Sequence, residues 1–202
     1  MRLTSLRLLL LTSLITPLIT NKGFANETLD RTTQFQSCGN NDQARKLAEL
    51  IVKDPAQARG KIRCNQLLTD IAITKAKKMA DFGLVTHNLG GSPNSRLSNA
   101  GYHLPSYYGR DFNSNQVEAI AGGYSNAIKV WDSFKQSEGH RTHLLGEHQF
   151  YLEQDELGIA FIKEKGAPHV EYWVVYLTKG MQQDQSANPS LSDIPNKNIS
   201  VL

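Results

Sequence analysis

"LGIAFIKEKGAPHVEYWVVYLTK", residues 157–179, decides the fold class of this 202-residue chain. It reads as two strands, 157–163 and 171–179, joined by a Gly/Pro loop. The second is apolar on both faces, which predicts a central strand covered from both sides. Upstream the apolar spacing turns helical. Residues 137–146 predict a short helix that Ser137 caps and Gly146 closes. Residues 124–134 predict another, with Ser125 at its N-cap and Ala127, Ile128, Trp131 and Phe134 inward. Further back, "CNQLLTDIAITKAKKMADFGLVTH" (64–87) predicts a helix with Leu68, Ile71, Ala72, Ala76 and Met79 as its apolar stripe. Lys75, Lys77 and Lys78 fall mostly on its wet side, and Gly83 stops it. Ala44, Leu47, Ala48 and Ile51 mark one more helix within 41–54, ended by Pro55. Helices first and strands last give an α+β fold rather than an alternating parallel one.

The rest of the chain is organised around that domain. Residues 1–25 carry Arg2 and Arg7 ahead of an apolar run, then Pro17, Gly23 and Ala25, the pattern of a secretory signal peptide. Residues 26–40 are polar and read as a loose N-terminal segment, 41–180 as the domain, and 181–202 as a disordered tail. Residues 88–116 are rich in Gly, Ser, Asn and Pro and read as a long functional loop, with one short strand at 101–104.

Charge and cysteine content narrow the function classes. The leader holds three of the 22 basic residues and none of the 19 acidic ones, so residues 26–202 carry 19 of each. A balanced chain gives no electrostatic reason to propose nucleic acid as a partner. No transmembrane segment is expected once the leader is removed. The two cysteines, Cys38 and Cys64, are expected to pair in an oxidising compartment, secreted or periplasmic.

Three of the six histidines, His140, His143 and His148, fall within nine positions. His140 and His143 lie one helical turn apart on one face, and neutral imidazole is a good zinc donor. His148 lies beyond Gly146 and reads as loop structure. A rival centre is Ser125 in "GYSNA", with His169 and Asp155 completing a serine triad. The second small residue there is Ala127 rather than Gly, and no run of parallel strands precedes it. A plain helix cap is the better reading.

"MADFGLVTHN" (79–88), "SRLSNAGY" (95–102), "VEAIAGG" (117–123), "VWDSF…SEGHRTHLL" (130–145), "LGIAF" (157–161) and "YWVVYLT" (172–178) stand in the order and spacing of one family. Over residues 44–180 the chain resembles the CAP superfamily (cysteine-rich secretory, antigen 5 and pathogenesis-related 1 proteins, the SCP domain), in its bacterial secreted branch. The resemblance implies a three-layer α-β-α sandwich with a central antiparallel sheet. It also implies a pocket of His87, Glu118 and His140, which in some members holds zinc or another divalent metal; His143, one turn along from His140, reads as a residue behind the pocket or part of its wall. Two departures stand out. Ala119 replaces an Asn after the pocket glutamate, and Phe134 stands where many members carry a second pocket glutamate. The implied role is a secreted binding module for a lipid, another amphipathic small molecule or a protein partner. Tyr107 and Tyr108 suit such a ligand surface. The reading leans away from an enzyme, and the alternative is a metal-dependent hydrolase in the same pocket.

Overall fold

The computed structural model describes residues 34–180. A 3₁₀ turn at Gln36–Cys38 leads into α1 (Asp42–Val52), β1 (Arg63–Cys64), α2 (Gln66–Phe82), α3 (Pro93–Asn99), β2 (Glu118–Gly122) and α4 (Ala127–Gln136). Then follow α5 (Glu138–Leu145), α6 (Gln149–Leu152), β3 (Glu156–Lys163) and β4 (Glu171–Thr178). The signal peptide and the tail expected at 181–202 lie outside the described residues. Among the described residues, no helix is long and apolar enough to cross a membrane.

The sheet order is β1-β3-β4-β2. β4 pairs antiparallel with both β3 and β2, and every one of its eight residues is buried, as its unbroken apolar run predicts. Its side chains alternate between two cores because side chains alternate along a strand. Trp173, Val175 and Leu177 meet α1, α4 and α5 on one face, through Leu47, Ile51, Val130, Trp131, Phe134 and Leu144. Tyr172, Val174 and Tyr176 meet α2 and α3 on the other, through Leu68, Ala72, Ala76, Met79 and Leu97. The architecture is therefore a three-layer α-β-α sandwich. One detail of the sequence reading is corrected: the sheet is mixed, because the two-residue β1 runs parallel to β3.

Other local expectations also change. Residues 101–104 form no strand, and the long loop instead contains α3, with Pro93 at its first turn and the Ser92 hydroxyl accepting from the Ser95 amide. Helix α4 starts at Ala127 rather than 124, its cap is Asn126 rather than Ser125, and Ile128 is 58% exposed. Its buried stripe is Ala127, Val130, Trp131 and Phe134, the i, i+3, i+4, i+7 set, and position 128 lies off it. The domain also begins before residue 41. Phe35 and Cys38 are buried, Gly39 bridges to Ile159, and Asn40 and Asn41 donate to the Phe161 carbonyl.

Two close fittings fix the layers. The expected disulfide joins Cys38 to Cys64, tying the first turn to β1 across 26 residues of sequence. A loop of that size is stabilising by roughly 3 kcal/mol. Gly158 of β3 lies directly under the start of α2. A Cβ there would fall inside the van der Waals envelopes of the Thr69 nitrogen and the Leu68 carbonyl carbon. Backbone cannot yield as a side-chain tip can, so Gly158→Ala is expected to cost about 3 kcal/mol by forcing helix and strand apart. Gly166→Ala, with only the Glu164 carboxylate within 4 Å at 3.8 Å, should stay within about 0.5 kcal/mol of wild type. Urea denaturation of the two variants checks this, and equal stabilities would sink the argument.

Candidate functional site

The site is built around a carboxylate that the sheet buries. Glu118 opens β2, and its side chain is fully shielded from solvent. A lone buried carboxylate is costly, so each of its oxygens must find donors. Oε2 accepts from Arg96 Nη1 at 2.7 Å and from the Tyr176 hydroxyl at 2.7 Å. Oε1 lies 2.9 Å from His87 Nδ1. The Asn115 side chain closes the strand end, accepting from the Glu118 amide at 2.9 Å and donating to its carbonyl at 3.1 Å. Burial, together with the neighbouring Glu118 charge, pushes the Tyr176 hydroxyl far above its ordinary pKa, so it stays a donor.

This arrangement assigns the histidine tautomer. Two groups face Nδ1: the Glu118 carboxylate at 2.9 Å, which calls for a proton there, and the Asn115 amide nitrogen at 3.1 Å, which calls for a lone pair. The shorter, charged contact favours Nδ1–H and leaves Nε2 of His87 as the free lone pair. The ring is half-exposed while its partner is sealed. His87 rides on the irregular segment after α2, a helix that Gly83 ends in the left-handed conformation at φ 66°. That segment is held from within. The Lys75 ammonium donates to the carbonyls of Thr86, His87 and Leu89, and Arg96 Nη2 to those of His87, Leu89 and Gly91. The expectation that Lys75 faces water is thus corrected: it is 1% exposed, and burial lowers its pKa to about 8.

His140 arrives from the opposite layer. Ser137 occupies the N-cap position of α5, although its side chain makes no capping bond, and Gly146 closes the helix at φ 71°. Arg59 reaches in to donate to the last carbonyls, His143 at 2.7 Å and Leu144 at 2.9 Å, and so anchors the helix. The His140 ring packs against Phe134, centroids 4.9 Å apart and planes tilted by 60°. Its pKa is lowered, first by burial and then by the charge of nearby His87. Both influences favour neutral imidazole.

His140 lines an open cleft of about 350 Å³ along β2. One wall is Val85, Ile120, Ala121 and Gly122, and the other Tyr124, Ser133, Phe134 and Ser137, with His169 at the rim. Neither His87 nor Glu118 lines this cleft, so the expected pocket residues are only partly assembled. His87 and Glu118 touch, while His140 bonds to neither. Among the described residues, no three His, Cys, Asp or Glu side chains are arranged to hold a metal ion together. The cause is visible at Glu118, whose oxygens are already engaged by His87, Arg96 and Tyr176.

The remaining candidates have other roles. His143 is buried against β4, its Nε2 2.9 Å from the Leu177 carbonyl, and does not line the cleft. His148 caps α6, its Nδ1 accepting from the Phe150 amide. Tyr108 is buried and accepts from Gln154, so only Tyr107 presents an exposed ring, held to Glu153 away from the cleft. The serine-triad alternative is overturned. Asp155 pairs with Arg63 beside the first residue of β3, whereas His169 lies by the first residue of β4, at the other end of the antiparallel pair. Arg96, Tyr176, Asn115 and Lys75 were missed from sequence. Arg96 does lie within the quoted "SRLSNAGY", and that motif was the available signal for it.

No protein-family model matches the sequence, and no curated protein sequence matches it either. Among solved structures, the chain is similar to an outer surface protein from Borrelia burgdorferi. That match has 22% identity and a TM-score of 0.49, over 67% of this chain and 88% of that one. It is also similar to an extracellular protein containing an SCP domain from Bacillus anthracis, at 21% identity and a TM-score of 0.49. That match covers 67% of this chain and 40% of the Bacillus protein.

His143 supplies a pH test of the packing beneath the cleft. Burial pushes its pKa down to about 4 from the ordinary 6.5. Between those values the unfolded chain takes up a proton that the folded chain refuses, so stability present above pH 6.5 is lost as pH falls toward 4. The loss is on the order of 3 kcal/mol. His143→Gln, which keeps a donor for Leu177, should flatten the stability profile over that window in urea denaturation. Parallel profiles for variant and wild type would remove His143 as the cause.

Proposed function

We propose that the chain is a secreted or periplasmic binding module whose cleft takes a divalent metal ion, zinc by donor chemistry, together with an amphipathic small molecule. The observation that carries the reading is His87. A buried carboxylate fixes its Nδ1 side and leaves Nε2 free, the way outer-sphere carboxylates orient imidazole ligands. His140, kept neutral and close by, supplies a second nitrogen donor. The ligand set proposed is therefore two imidazoles plus solvent, with Glu118 behind His87 rather than on the ion. A bound divalent ion would supply Lewis acidity toward a ligand oxygen in the cleft. The apolar β2 wall suits a hydrocarbon body, and the Ser133 and Ser137 hydroxyls suit a polar head.

Export is supported by the leader pattern of residues 1–25 and by the disulfide, which persists in oxidising compartments. Binding is preferred over hydrolysis because Glu118 is committed to Arg96 and Tyr176, and no carboxylate lines the cleft to serve as a base.

The test is calorimetric zinc titration of the protein purified after export from expression of the full chain. Micromolar binding is expected, abolished by His87→Ala and by His140→Ala. Glu118→Gln should weaken it about 10–100-fold, as loss of an orienting partner does. Binding that survives both alanine substitutions would place the ion elsewhere.

A further inference from the structure

His87 sits on irregular backbone, so whatever holds residues 86–91 also holds the imidazole against Glu118. We infer that Lys75 is a positioning residue for His87, acting through the backbone of residues 86–91. Its ammonium is sealed inside on α2, whose neighbouring Ile71, Ala72, Ala76 and Met79 are core residues, so the mount is rigid. All three of its N–H groups are used, on the carbonyls of Thr86 at 2.6 Å, His87 at 3.0 Å and Leu89 at 3.3 Å. Arg96 grips the same segment, sharing the carbonyls of His87 and Leu89 with Lys75. The carbonyl of His87 itself is thus bound by two cations, which fixes its backbone before the ring is placed.

The arrangement is more than helix-face filling. Two cations side by side in a low-dielectric interior repel, and each gives up its water. Leu or Met at position 75 would fill the space without that cost. What they lack is three donors converging on one segment. Gly90 at φ 84° and Gly91 at φ 98° give that segment its turn. A Cβ on Gly90 would lie 2.8 Å from Lys78 Nζ, so the loop is also shaped to lie close on the lysine side of α2. The connection runs from α2 through Lys75 to the loop, from the loop to His87, and from His87 to Glu118.

Lys75→Met keeps the length of the side chain and removes all three donors. The first readout is the ¹⁵N spectrum of the His87 imidazole, metal-free at neutral pH, in protein purified after export from the full chain. Lys77→Met, on the exposed side of the same helix, is the control. Wild type and control should show the Nδ1–H tautomer that Glu118 selects. Lys75→Met should shift His87 toward Nε2–H, because the tautomer follows the hydrogen bond at the other nitrogen. The second readout is zinc affinity, expected to fall at least about tenfold, as when an orienting partner of a metal ligand is lost. Only this second arm rests on the cleft reading proposed above. A wild type that binds no zinc, with a tautomer shift in Lys75→Met, ends that reading and supports this one. An unchanged Nδ1–H tautomer in folded Lys75→Met overturns the inference. If the variant does not fold, wild type labelled at lysine nitrogens decides. A slowly exchanging Lys75 ammonium is expected, and exchange as fast as that of Lys77 overturns it.

Discussion

The constraint from which the rest of the site follows is the burial of one carboxylate, Glu118, at the start of an edge strand. A charge out of water must be neutralised and fully hydrogen-bonded, and removing one partner from such a group costs about 3–5 kcal/mol. The fold meets this demand from three directions. Arg96 comes from α3, Tyr176 from the central strand and His87 from the segment after α2. Each partner pins a different element, so the carboxylate organises the edge of the sheet as well as the imidazole. Tyr176 lies directly across from Glu118 in the β2–β4 register, which lets a strand pair double as half of the cage.

The central strand makes such a cage possible. Because β4 is covered on both faces, its even-numbered residues serve the α2 and α3 layer while its odd-numbered ones serve the α1, α4 and α5 layer. Glu118 and Tyr176 fall on the first face and the Phe134–His140 ring pair on the second. The cleft wraps the β2 edge between the two layers, lined by His140 and His169, while His87 sits behind the same strand on Glu118. Gly122 belongs to the same logic. A Cβ there would lie 2.7 Å from Val85 Cγ2 and 3.1 Å from the His169 side chain, so glycine lets the two rims approach. Val170, next to His169, holds the left-handed backbone at φ 62°, rare for a β-branched residue, and so the hairpin at this rim carries local strain.

Much of the architecture was legible because it rests on periodicity. The stripes of α1 and α2, the glycine stops at Gly83 and Gly146, and the doubly apolar β4 all follow from it. Two misreadings were legible in principle. Lys75 lies with Ile71, Ala72, Ala76 and Met79 on one helical stripe, so the spacing had already placed it inward, and its charge argued it outward. Ile128 is the reverse case, an apolar residue off the stripe of its own helix. The parallel β1 strand could not be read, since two residues carry no period. His87, Glu118 and His140 came from the resemblance, and no local pattern would have joined residues so far apart in the chain.

What sequence spacing could not supply was the difference between belonging to a pocket and binding in it. The resemblance implied Glu118 as a ligand, and a carboxylate beside two histidines is a familiar metal set. An Arg at 2.7 Å and a tyrosine hydroxyl at 2.7 Å change what that carboxylate can do. It becomes an acceptor whose capacity is spent inward, and its influence reaches the cleft through the imidazole it orients. The same holds three positions after Trp131, where many members of the resembled family carry a second pocket glutamate and this chain has Phe134. Phe134 lays a ring on His140 there, and that contact replaces charge with burial. Burial around the second histidine favours the neutral form of His140, which is the protonation state that a nitrogen donor needs, while the inward-turned carboxylate acts on His87 from its Nδ1 side.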